Sequence, residues 1–287
     1  MTEQMVRLSD GAELWTAVSG TGPPAVLLHG GPGMWDYLAP LAALLDDTFT
    51  VIRFEQRGCG RSTAYGGPFT IAQAVDDMDQ VRAALGFGRW AVAGHSWGAE
   101  LSIRYAASHP ERTAAVAYIS GVGAGNAYRA PHRIESKRRL GNDYHRWSTL
   151  DGIPAGDRTP DQEREYCVLQ WSPDFSPSGN PAAHALALWN TMPPGASVNV
   201  AAHRELWGDR GTEDLCAAAA RVTCPVTMIC GADDPRPWTA TESLLTALPD
   251  ASRIVLDNAG HSPWAERPAD TSRAIIDALD PSRYSAT

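Results

Sequence analysis

Short apolar runs alternate with stretches of helical periodicity along most of the chain. Residues 25–28 are continuously apolar, which is typical of a strand buried on both faces. Thr70 is a residue type that caps helices, and the apolar residues behind it recur at helical spacing, at Ile71, Val75, Met78, Val81 and Leu85. Strands that alternate with helices predict a mostly parallel central sheet covered by helices, which is an α/β fold.

The same patterns place the remaining elements. An opening hairpin is predicted from strand-like runs at 5–8 and 13–18, around a turn sequence at 9–11. Further strands are predicted at 48–54, 90–93, 114–119, 225–229 and 253–256, and further helices at 99–108, 240–248 and 270–279. Residues 121–220 are rich in proline and contain no strand-like run. We interpret them as a mainly helical cap over a core made of residues 1–120 and 221–287.

Charge and composition exclude several classes of protein. The chain has 24 basic and 33 acidic side chains, a formal net charge of −9, so we expect neither a nucleic-acid nor an anionic-membrane partner. No apolar run reaches the roughly 18 residues of a membrane span, and the start shows no secretory signal. The five cysteines include no CxxC pair, which indicates reduced thiols in a cytoplasmic protein. No phosphate-loop, dinucleotide or zinc motif is present, so we expect no cofactor and no metal.

The segment GHSWG at residues 94–98 fits the pattern G-x-S-x-G between a predicted strand and a predicted helix. In this context the serine lies at a sharp turn with its hydroxyl exposed, and the flanking glycines let two backbone segments approach closely. Ser96 is therefore the predicted nucleophile. The amide of Trp97 begins the helix, where it can stabilise negative charge.

A serine nucleophile needs a base, and the base needs an orienting acid. His261 and two aspartates, Asp233 and Asp234, follow predicted C-terminal strands, in the chain order that this kind of fold uses. We favour Asp234, because two residues usually separate the acid from the glycine that ends the strand. The ordinary alternative for Asp233 is a turn residue. Early in the chain, HGGPG at 29–33 follows a strand, and Gly31 is predicted to supply the second oxyanion donor.

Together these motifs resemble the α/β-hydrolase fold, and within it the proline iminopeptidase-like serine hydrolases. The resemblance rests on HGGPG, on EQRGCGRS at 55–62, on GHSWG, on GADDP at 231–235 and on GHSPWAERP at 260–268, so it covers nearly the whole core. It implies an α/β-hydrolase core with a helical cap. Two positions depart from the family: Glu55 stands where aspartate is usual, and Pro235 where some relatives carry glutamate.

Residues that bind the substrate are harder to assign. Relatives of this type anchor the free amino end of a substrate with carboxylates, several of them from the cap. The cap offers Glu205, Asp209, Glu213 and Asp214 around Trp207, although a solvated helix face is the ordinary interpretation of each. Trp35, Glu205 and Trp207 are the candidate substrate contacts.

The leading hypothesis is hydrolysis of the N-terminal aminoacyl or prolyl amide of a small peptide or aminoacylated metabolite, through a Ser96–His261–Asp234 triad and an acyl-enzyme. The first alternative is a carboxylesterase or lactonase for small hydrophobic esters, which would need no amine anchor. The second is a ligand-binding homologue without activity. An intact triad argues against this ligand-binding hypothesis. The expected partner is a small-molecule or short-peptide substrate.

Overall fold

The computed structural model of the chain describes residues 1–62, 67–210 and 214–283. Within these ranges one sheet is formed by β1 (Thr2–Arg7), β2 (Glu13–Ser19), β3 (Pro24–Leu28), β4 (Thr50–Phe54), β5 (Trp90–His95), β6 (Thr113–Ile119), β7 (Val226–Gly231) and β8 (Ala251–Leu256). The strand order is β1-β2-β4-β3-β5-β6-β7-β8. β2 runs antiparallel to its neighbours β1 and β4, and all other neighbours are parallel. The predicted α/β fold with a mostly parallel sheet is confirmed.

Helices surround this sheet and fill the long connection between β6 and β7. Those before the connection are α1 (Ala39–Ala42), α2 (Ile71–Ala84) and α3 (Trp97–Ser108). Those within it are α4 (Arg129–Leu140), α5 (Tyr144–Asp151), α6 (Pro160–Trp171), α7 (Pro181–Trp189), α8 (Val200–Asp209) and α9 (Leu215–Ala219). Those after it are α10 (Glu242–Ala247), α11 (Pro263–Glu266) and α12 (Pro268–Leu279). None of the helices described is both long and apolar enough to cross a membrane.

The central strands are buried on both faces because alternate side chains enter different cores. In β3, Ala25 and Leu27 pack in the cluster that includes α1 and α12. Val26 and Leu28 pack on the opposite face, in the cluster that includes α2 and α3. A strand in this position has no polar face, so its sequence is continuously apolar. The N-cap prediction also agrees with the structure, because the Thr70 hydroxyl accepts a hydrogen bond from Gln73 N–H at 3.2 Å.

Several predicted boundaries were wrong by two or three residues, and three of them have a clear structural reason. β1 begins at Thr2 rather than at residue 5, and β8 begins at Ala251 rather than at residue 253. Both are edge strands that are largely or partly exposed, so main-chain pairing extends them where no apolar pattern is required. α3 begins at Trp97 rather than at residue 99, because the chain turns from β5 into the helix within one residue.

Between β6 and β7, the described residues form helices and no strand. Leu215 and Ala219 of α9, however, pack with Ala99 and Ile103 of α3. Because α9 packs against a core helix, we place the end of the cap before Leu215 rather than at residue 220. The division into core and cap itself stays a proposal.

Candidate active site

Ser96 occupies a strained backbone position between β5 and α3. Its φ is 57° and its ψ is −115°, a conformation that residues with a Cβ rarely adopt. The flanking glycines make the turn possible. A Cβ on Gly94 would lie 2.0 Å from the Gly98 oxygen, and a Cβ on Gly98 would lie 2.2 Å from the Leu28 oxygen. The Ser96 amide donates to the Ile119 oxygen at 2.9 Å, which ties the turn to β6.

His261 lies beyond the end of β8 and contacts Asp234 beyond the end of β7. The His261 Nδ1 is 2.6 Å from the Asp234 Oδ2, and both side chains are buried. The other carboxylate oxygen, Oδ1, accepts from the Arg236 amide at 2.9 Å. An Nδ1–H that donates to a carboxylate leaves Nε2 free to accept a proton.

The competing aspartate, Asp233, has a different partner. Its Oδ2 accepts a hydrogen bond from the Ser176 hydroxyl at 2.6 Å. The structure therefore brings His261 together with Asp234, whereas Asp233 fixes a loop of the connection between β6 and β7.

Ser96 and His261 line one cavity of about 440 Å³. The structure places no hydrogen bond between the Ser96 hydroxyl and the imidazole. Groups of this kind often reach hydrogen-bond distance only with a substrate in place. A single bound molecule can contact both side chains.

Two main-chain amides are placed to receive negative charge. Trp97 is the first residue of α3, so its N–H has no acceptor within the helix. Gly31 lines the cavity with φ of 123°. Its neighbour Gly30 touches the turn at the nucleophile, because a Cβ there would lie 2.9 Å from the Ser96 Cβ. Their pairing as an oxyanion hole stays a prediction.

The three predicted substrate contacts do not line this cavity. Trp35 is fully buried and donates to the Thr191 hydroxyl at 2.8 Å. Glu205 accepts from the Phe69 amide at 3.1 Å. Trp207 packs against Trp97, with 6.0 Å between ring centroids.

The other acidic residues considered near Trp207 also serve main-chain amides. Asp209 accepts from the Ile71 amide at 2.7 Å, and Asp214 accepts from the Cys216 amide at 2.8 Å, at the start of α9. Glu213 lies outside the described residues. Glu205 and Asp209 thus accept from amides just before and at the start of α2. This role explains why carboxylates stand at these positions without any contact to a substrate.

The cavity has a polar wall and an apolar wall. The polar wall comes from α6 and the loop before it, with Arg158, Glu163, Tyr166, Cys167 and Gln170. The apolar wall is formed by Met34, Trp171, Phe175, Leu188, Val198 and Val200. Burial raises the pKa of Cys167 to about 12, so this thiol stays protonated and is a poor nucleophile. The sequence did not reveal the polar wall, because polar residues at this spacing on a helix are also typical of a face exposed to solvent.

An ion pair joins the loop after β7 to the connection above it. Arg236 donates to both carboxylate oxygens of Asp174, at 2.8 and 3.2 Å. Burial raises the pKa of Asp174, but the charge of Arg236 and a hydrogen bond from His132 outweigh it and hold that pKa below its usual range. The Asp174 carbonyl also accepts from the His261 amide at 2.7 Å. Asp174 therefore supports the loop that carries the predicted base.

Comparison with known proteins agrees with the fold that carries this site. Residues 23–268 match a family model described as the alpha/beta hydrolase fold. The chain belongs to the α/β-hydrolase family. Among solved structures, this α/β-hydrolase is similar to a proline iminopeptidase from Mycobacterium smegmatis, with a TM-score of 0.74 and 23% identity over the full length of both chains. It is also similar to an enol-lactonase from Burkholderia xenovorans, with a TM-score of 0.71, 20% identity and coverage of 96% of this chain and 99% of the other. At such identities these likenesses establish the fold alone.

The similar sequences also include proline iminopeptidases. A proline iminopeptidase of Neisseria meningitidis is 43% identical over 93 residues, which cover 32% of this chain and 30% of the relative. The chain thus matches less than a third of that relative's length. A proline iminopeptidase of Heyndrickxia coagulans is 24% identical over 273 residues, which cover 91% of this chain and 92% of the relative. The chain is thus similar to proline iminopeptidases in part of its sequence at higher identity and over most of its length at lower identity.

The ion pair of Asp174 predicts a pH-dependent loss of stability in Arg236→Met. A carboxylate with a lowered pKa stabilises the fold above its unfolded pKa of about 3.9, and this contribution is lost as the pH falls. Without the guanidinium, burial raises the pKa of Asp174, so its ionisation destabilises the variant at neutral pH. We expect a deficit of about 3–5 kcal/mol near neutrality, which shrinks as the pH falls to about 4. Urea unfolding at both pH values measures it.

The matched control is Arg138→Met. Arg138 pairs with Glu135 on the surface, with 66% of its side chain exposed, so its loss should leave the free energy of unfolding nearly unchanged at both pH values. Equal deficits for Arg236→Met at both pH values would contradict the assigned coupling.

Proposed function

We propose that this hydrolase cleaves the amide bond that follows the free amino end of a short peptide or an aminoacylated metabolite. The observation that carries the proposal is the common cavity. It is lined by Ser96, by the Asp234-bound His261, and by the carboxylate of Glu163. The first two supply the means of acyl transfer. The third supplies an acceptor for a substrate ammonium group.

The reaction follows from the positions of these groups. Ser96 Oγ attacks the carbonyl carbon while His261 Nε2 takes the hydroxyl proton. The oxyanion forms beside the amides of Gly31 and Trp97. The imidazolium returns the proton to the leaving amine, and the acyl group remains as an ester on Ser96. Water, deprotonated by the same imidazole, then releases the acid and restores the hydroxyl.

Glu163 is the carboxylate in the cavity with the greatest remaining capacity to accept. Asp174 is already paired with Arg236 through both of its oxygens. Glu163 pairs with Arg158 through Oε2 at 2.9 Å, whereas its Oε1 receives only a long contact of 3.7 Å from the Cys167 thiol. A substrate ammonium can therefore bind at Oε1 with a charge-assisted hydrogen bond.

The apolar wall supports a second candidate function. Leu188, Val198 and Val200 offer no polar group to a ligand, and they suit the acyl chain of a small hydrophobic ester or lactone. Such a substrate would need the same nucleophile and the same oxyanion donors but no carboxylate on α6. The two candidates therefore differ in their dependence on Glu163.

The variant Ser96→Ala tests the nucleophile. It lacks the attacking oxygen, so we expect kcat for an activated aryl ester to fall by a factor on the order of 10⁶. Mass spectrometry of the wild type after fluorophosphonate treatment should locate the adduct on Ser96. Ser102→Ala is the control, because that buried hydroxyl bonds only the Ala99 oxygen within α3. Unlabelled wild-type protein at high reagent would favour a ligand-binding role instead.

The variant Glu163→Gln tests the amino-end subsite. We expect kcat/KM for aminoacyl or prolyl p-nitroanilides with a free amino end to fall about 10- to 100-fold, since a charged hydrogen bond contributes about 1.5–3 kcal/mol. Turnover of simple acyl esters should stay unchanged. Glu205→Gln is the matched control, because that carboxylate lies outside the cavity. A wild type that is indifferent to blocking of the amino end would favour the esterase.

A further inference from the structure

His95 is a buried histidine whose two ring nitrogens both have partners, although the proposed reaction uses neither. It is the last residue of β5 and directly precedes Ser96. Its Nε2 lies 2.8 Å from the His261 carbonyl oxygen, and its Nδ1 lies 2.6 Å from the Tyr37 hydroxyl. The Tyr37 hydroxyl in turn lies 2.7 Å from the amide nitrogen of Gly30.

The chemistry of these partners fixes which group donates and which accepts in each hydrogen bond from Gly30 through Tyr37 and His95 to His261. We call this series the hydrogen-bond chain. A carbonyl oxygen can only accept, so His95 Nε2 carries a hydrogen. Burial lowers the pKa of His95 well below its usual value, so the ring is neutral and Nδ1 is an acceptor. The Tyr37 hydroxyl must then donate to Nδ1, while its oxygen accepts from the Gly30 amide. Each group in the chain uses its hydrogen-bonding capacity in one consistent sense.

This hydrogen-bond chain connects the three parts of the proposed active site. Gly30 precedes the oxyanion donor Gly31, His95 precedes the nucleophile, and the His261 carbonyl belongs to the base itself. The Tyr37 hydroxyl accepts from the Gly30 amide and so holds this loop, whose next residue, Gly31, lines the cavity.

The two rings of the chain are themselves fixed by packing. Tyr37 stacks on Trp264, with 6.4 Å between ring centroids and 10° between planes. His95 meets the same indole edge-on at 4.7 Å. Both rings are at least 96% buried, since their exposure is 4% and 3%. These contacts with Trp264 restrict the motion of both rings and so support their hydrogen bonds.

We propose that His95 and Tyr37 are positioning residues that set the spacing between the oxyanion loop, Ser96 and His261. The inference rests on the proposed function, because it assumes that these three parts act together. Acyl transfer depends steeply on this spacing, and a displacement of about 1 Å can cost about 10²-fold in rate. Tyr37 and His95 also border the cavity, so rate and affinity must be measured separately. Loss of a positioning link lowers the rate of reaction at Ser96, whereas loss of a substrate contact lowers the affinity.

The test compares Tyr37→Phe with Tyr118→Phe. Tyr118 is a matched control, because it is fully buried and its hydroxyl accepts from the Gly123 amide at 2.9 Å, outside the cavity. Both variants remove one buried hydroxyl from a glycine amide, and Tyr37→Phe also leaves His95 Nδ1 without its donor, so we expect the larger loss of melting temperature for Tyr37→Phe. For an activated aryl ester we expect kcat of Tyr37→Phe to fall about 10- to 100-fold with KM nearly unchanged. The rate of fluorophosphonate labelling should fall in proportion. Tyr118→Phe should keep both rates within about twofold.

Substitutions of His95 test the middle of the chain. His95→Gln places an amide donor where Nε2 stands and should retain more of kcat than His95→Leu, which has no donor for the His261 carbonyl. Equal kcat for these two variants, or equal labelling rates for the two phenylalanine variants, would overturn the positioning role. A change in KM alone for Tyr37→Phe would also overturn it, since that result indicates direct contact with substrate. Wild-type protein without labelling at Ser96 would instead overturn the proposed function, and the positioning role with it.

Discussion

The backbone conformation of Ser96 is the constraint on which the rest of the site depends. A positive φ at a residue with a side chain costs about 1–3 kcal/mol, and it persists only where the surroundings over-determine it. Here they do so from three sides: Gly98 lies against the Leu28 oxygen, Gly94 lies against Gly98, and the Ser96 amide is held by β6. α3 is thereby pressed onto the end of β3, which brings the first helical amide and the HGGPG loop to the same place. The predicted oxyanion donors and the predicted nucleophile thus depend on one close approach between α3 and the end of β3.

The core and the proposed triad could be predicted from the sequence because their signals are local. A strand buried on both faces must be apolar throughout, and the turn at Ser96 needs glycine on both sides. The carboxyl ends of β3, β5, β7 and β8 lie at one edge of the sheet, so residues that follow these strands lie close together in the fold. The boundaries of the edge strands β1 and β8 were predicted wrongly, because main-chain pairing at an edge does not require an apolar pattern of side chains.

The walls of the cavity could not be predicted, because they depend on how the helices of the connection pack over the sheet. Glu205 and Glu163 are both acidic residues on amphipathic helices, and nothing in their neighbourhoods of sequence separates them. The fold turns Glu205 towards an amide before α2 and Glu163 towards the cavity. Arg236 illustrates the same limit. Its two partners, Asp174 and Asp234, are distant in sequence from each other, and only the packed fold joins them.

The segment that follows α6 belongs structurally to the base loop. The Asp174 carbonyl accepts the His261 amide, and Ser176 bonds Asp233. Glu266 accepts from the amides of both Ser176 and Gly260. Movement of this segment would disturb the proposed base, so the wall beside Phe175 cannot change without a cost to the reaction. The helices α6, α7 and α8 themselves form no such bonds to His261 among the described residues. Substitutions there can alter which substrate fits while the reacting groups stay in place. This separation gives a physical reason why one core and one set of reacting groups can serve hydrolases with different substrates.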